Sequence, residues 1–64
     1  MSMFDECVDQ SLQELKAKRK LLISYLIMKL EEEDWHGVED AASDIRDNEA
    51  EQDGLRKARS FYER

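Results

Sequence analysis

The chain reads as an all-α protein, an antiparallel two-helix hairpin that self-associates into a four-helix bundle. Three observations predict this. Proline is absent, and only Gly37 and Gly54 interrupt a composition that is 41% charged and rich in Leu, Glu, Lys, Arg and Ala, as in long helices. Charge alternates in blocks along the chain: −4 over residues 1–15, +5 over 16–29, −10 over 31–53 and +3 over 56–64. A bend near Glu33–Asp34 lays each basic block against an acidic one. Finally, 64 residues form one domain at most, and a lone core of that size supplies only about 3–5 kcal/mol. With one cysteine and one histidine, neither an internal disulfide nor a structural zinc site is at hand. A partner chain is the remaining source of stability.

The first helix is expected over about residues 3–32. Phe4, Val8, Leu12, Leu15, Leu22, Leu26 and Leu30 recur at steps of four or three, with Arg19 filling the gap. Asp5 and Glu6 suit the positive end of the helix dipole and Lys29 the negative end. Ser2 with Asp5 has the form of a capping box. Cys7 is expected on the apolar side as a small buried residue.

The turn falls at about 32–35, with Asp34 as N-cap of a second helix opening at Trp35. That helix carries Trp35, Val38, Ala41, Ala42 and Ile45, turns polar through Asn48, Glu49 and Gln52, and regains apolar residues at Leu55, Ala58, Phe61 and Tyr62. It is expected to fray after about Ala58 and end near residue 60. Gly37 suits a close approach of Trp35 or the first helix. Trp35 is expected to plug the open end of the hairpin.

In an antiparallel hairpin bent there, residues whose numbers add to about 67 lie side by side. Leu30 then meets Trp35 and Val38, Leu12 meets Leu55, and Phe4 meets Phe61 or Tyr62. Lys16, Lys18 and Lys20 fall beside Asp47, Glu49 and Glu51, and Lys57 and Arg59 beside Asp9. Arg19 with Glu49 forms a polar layer that fixes the register, as polar positions do in helical seams.

Between Leu21 and Met28 seven of eight residues are apolar, more than one hairpin partner covers. Leu21, Ile23, Tyr25, Ile27 and Met28 are therefore the expected oligomer interface, satisfied by a homodimer. Glu31, Glu32, Glu33, Asp34 and Asp40 form an acidic surface for a protein partner.

Other chemistry has thinner support. His36 and Asp40 share a helical face near the turn acids, but the acids read better as solvated charges at the positive end of the second helix, and no metal or cofactor is expected. The carboxylates of Asp40, Asp44, Asp47 and Glu51 evoke the magnesium sites of all-helical nucleotide pyrophosphatases. Those need acids on both helices, whereas the facing segment here offers lysines. Lys16, Lys18 and Lys20 are the one candidate RNA-binding patch. In length and form the chain resembles the repressor-of-primer type of plasmid copy-number regulator, without a shared motif. The net charge of −6 disfavours nonspecific nucleic-acid binding.

The segment DWHGVEDAASDIRDNEAE, residues 34–51, is similar to one in short phage and bacterial proteins to which no activity attaches. That resemblance implies a phage or bacterial source and action by binding a host protein. The first residues show no signal-peptide pattern, and the longest apolar run is too short to span a bilayer. The expectation is a cytoplasmic interaction protein, not an enzyme.

Overall fold

The computed structural model describes residues 3–62. Two helices account for nearly all of it: α1, Met3–Glu31, and α2, Trp35–Tyr62. They pack along their length as an antiparallel hairpin measuring 47 × 16 × 9 Å. The radius of gyration is 14.8 Å, against about 11 Å for a compact domain of this length. The molecule is a rod one helix thick and two helices wide. No helix among the described residues is long and apolar enough to cross a membrane.

The connection is built from two caps that share a residue. Glu33 N–H donates to Leu30 O at 3.1 Å and Asp34 N–H to Lys29 O at 2.9 Å, the paired bonds of a Schellman C-cap. Glu33 takes the left-handed position of that motif with φ 59°. Asp34 then opens α2: its carboxylate Oδ1 accepts from Gly37 N–H at 3.1 Å and its carbonyl from Val38 N–H at 3.0 Å. The N-cap role expected of Asp34 is thus observed. Ser2 and the Asp5 side chain lie outside what the structure describes, as does the side chain of Tyr62.

Gly37 is buried and closely approached at this corner. A β-carbon there would sit 2.8 Å from Lys29 Cδ and 2.9 Å from Lys29 Cγ, inside van der Waals contact. The close approach expected at Gly37 is therefore made by the stem of Lys29. Gly54 has nothing within 4 Å of its missing β-carbon and does not end α2. α2 runs through Gly54 to Tyr62, past the expected end near residue 60.

Buried residues line the seam along its length. Val8, Leu12 and Ala41 are the buried apolar residues, and Asn48 and Gln52 are buried polar ones. A hydrogen-bonded relay satisfies the polar pair. Arg56 Nη2 donates to Gln52 Oε1 (3.1 Å), Gln52 Nε2 to Asn48 Oδ1 (2.7 Å) and Asn48 Nδ2 to the Leu15 carbonyl (2.9 Å). No buried side-chain polar atom among the described residues lacks a partner. The register predicted from the charge blocks is met where Arg19 Nε binds Glu49 Oε1 at 3.0 Å and where Arg59 pairs with Asp9.

Candidate functional site: two unlike faces of the hairpin

Ion pairing across the hairpin is sparser than the charge blocks predict. Among the described residues Lys16, Lys18 and Lys20 make no ion pair. Lys57, expected beside Asp9, instead pairs along its own helix with Asp53 at 2.9 Å. The three lysines part company because 16 and 20 share a helical stripe while 18 lies between them. Lys16 and Lys20 line one groove with Arg19, Glu49 and Arg56. Lys18 lines the opposite face with Asp44, Asp47 and Glu51, and with Glu14 from its own helix. One face is therefore mainly basic in its outer half, and the other mainly acidic.

The expected oligomer interface divides along the same line. Leu21, Tyr25 and Met28, at steps of four and three, share one stripe of α1. Ile23 and Ile27, four apart, share another. Leu21 is 72% exposed and Ile27 50%, with Tyr25 and Met28 also exposed; Ile23 is half-buried. The five do not form a single patch. Their separation follows from 100° per residue and was available in the spacing.

Trp35 does not plug the hairpin; it is 61% exposed. Leu30, its expected neighbour, is exposed as well. The seam at that level is filled instead by Gly37 and the Lys29 stem, which leaves no room for an indole. Phe4 and Phe61 are also exposed. Cys7, expected to be buried, is exposed, because it stands one residue before Val8 and so faces away from the seam.

At the turn, Glu31, Glu32 and Glu33 are exposed and Asp34 is half-buried. The acidic surface is not wholly free. Lys29 Nζ lies 3.6 Å from Glu32 Oε2 and 3.5 Å from Asp34 Oδ2, and 5.2 Å from the centre of the Tyr25 ring. Glu32, Tyr25 and Asp34 together hold the Lys29 pKa above its ordinary value, against partial burial. The Gly37 N–H bond, then the Lys29 ammonium, holds the Asp34 carboxyl below its ordinary value, again against burial. His36 Nε2 stands 3.7 Å from Asp40 Oδ2, both exposed. Among the described residues no group of three or more His, Cys, Asp and Glu converges as a metal site would.

What the arrangement offers is surface. An acidic face, an apolar stripe behind α1, and a mixed apolar and basic face are the features to be explained. No family model matches the chain, and neither a curated protein nor a solved structure matches it significantly.

Proposed function

We propose that the chain is a non-enzymatic interaction protein: a helical hairpin that pairs with a second copy and offers its acidic face to a protein partner. The observation that carries this is unburied surface. The chain exposes 5071 Å², whereas a compact monomer of 7.6 kDa exposes about 4,300 Å². That leaves an excess of about 800 Å², one partner's share of a standard protein–protein interface. Among the described residues nine large hydrophobic side chains are exposed against three buried apolar residues, a ratio that an isolated fold sustains poorly. The acidic face, with Asp44, Asp47 and Glu51 around Lys18, suits a basic protein surface and repels nucleic acid.

Light scattering at micromolar concentration tests the reading. A mass twice 7.6 kDa is expected, and a single-chain mass would sink it. RNA captured at low salt, and lost on Lys16→Glu with Lys20→Glu, would replace it with an RNA-binding function.

A further inference from the structure

Ile23, Ile27 and Leu30 step by four and three along α1, and the same stripe continues toward the N-terminus through Lys20, Lys16, Gln13 and Asp9. On α2 the matching steps run Trp35, Val38, Ala42 and Ile45, then Glu49, Gln52 and Arg56. Lys16, Lys20, Glu49 and Arg56 line one groove, so both stripes border the same face. Sustained alternation of three and four is the repeat that lets helices meet along a supercoiled seam. The face is graded along its length. Its turn-end half carries Ile27, Leu30, Trp35 and Ala42, all exposed, and its other half carries charge.

We infer that this face is where the second copy docks, with both turns at the same end of the bundle. This rests on the self-association reading above and specifies it. With the two-fold axis along the rod, α1 meets the α2 of the second copy antiparallel, at the same levels as within the hairpin. Ile27 then comes to the level of the partner's Ala42 and Val38. Lys16 and Lys20 come to the level of the partner's Glu49, and Arg56 to that of the partner's Asp9. Same-end docking lays apolar half on apolar half, while Lys16 and Lys20 share one Glu49 that already binds Arg19 within its own hairpin. Reversed end for end at full overlap, Ile27 would come to the level of the partner's Asp9 and Ala42 to that of the partner's Arg56, where desolvation is uncompensated. The excess exposed surface is enough for one such interface. Leu21, Tyr25 and Met28 lie on the other stripe and stay outside, beside the acidic face.

Three variants and one distance test it. Ala42→Arg and Ile27→Glu should each raise the dimer dissociation constant at least about tenfold while circular dichroism stays helical, and Leu21→Glu should leave the dimer intact. Survival of the dimer in Ala42→Arg, or its loss in Leu21→Glu, overturns the choice of face while self-association stands. A single-chain mass for the unaltered protein defeats the underlying reading instead. A nitroxide at Glu31→Cys, in a Cys7→Ser background, should give an intermolecular distance of about 20 Å. A distance of about 40 Å, one helix length, would overturn the orientation.

Discussion

Lys29 and Asp34 are joined twice: the Asp34 N–H donates to the Lys29 carbonyl at 2.9 Å, and the Asp34 carboxylate lies 3.5 Å from Lys29 Nζ. One bond ends α1. The other ties the cap of α2 to the last turn of α1, beside a glycine that leaves the lysine stem its path. The corner is therefore a single electrostatic unit, and acid and base should loosen it in opposite directions of titration.

The Asp34 pKa is lowered by folding, so its contribution is present above about pH 4 and is lost as pH falls below that toward the folded value. The Lys29 pKa is raised, so its contribution is present below the ordinary lysine pKa and is lost as pH rises through the higher folded value. Thermal melts should show a plateau between these limits. Asp34→Asn should flatten the acid limb and weaken the alkaline one, which Glu32 and Tyr25 still support.

Glu33 occupies a left-handed conformation at φ 59°, which costs a side-chain-bearing residue about 1 kcal/mol. Glu33→Gly is expected to raise stability by about 0.5–1 kcal/mol in urea unfolding. An unchanged or lower midpoint would show that the Glu33 side chain contributes more than its strain costs.

The two glycines should respond with opposite sign. Gly54→Ala fills open space inside α2 and should add about 1 kcal/mol. Gly37→Ala collides with Lys29 and should destabilise. In a Lys29→Ala background only the Asp34 Oδ2 contact at 3.1 Å remains, and Gly37→Ala should then cost less. A double-mutant cycle measures that coupling.

Asn48→Ala removes the acceptor for Gln52 Nε2 and the donor to the Leu15 carbonyl. Leaving a buried amide unpaired should cost about 1–3 kcal/mol. Asn48→Leu with Gln52→Leu should regain stability but blur register, seen as doubled backbone resonances across the seam.

Much of the architecture was legible in order. Steps of four and three gave both helices, the charge blocks gave the antiparallel register down to Arg19–Glu49, and Asp34 announced the start of α2. Other features were not legible because the signal stood on the wrong residue type. A Schellman corner is marked by glycine, and here the left-handed position is Glu33. Trp35 reads as core by type, yet its phase places it with Val38 and Ala42 at the outer edge of the seam. Asn48 and Gln52 read as a polar layer in the middle of the seam, but their linkage to the Leu15 carbonyl and to Arg56 had no signal in the spacing. The division of the Leu21–Met28 block was present in its spacing but hidden by its uniform hydrophobicity.

The placement of the buried residues also sets the order in which the chain can assemble. Asp34 and Lys29 are five residues apart and find each other locally, whereas Arg59 must reach Asp9 across a separation of 50 residues. Closing the longer loop first costs conformational entropy that no early contact repays. Folding should therefore start at the corner and zip outward, reaching Val8 and Leu12 last. In mechanical terms the molecule is a clothespin with its spring at Asp34 and its latch at Asp9–Arg59. Pulled apart at its termini, it would yield at the latch first, where most of its buried apolar side chains lie.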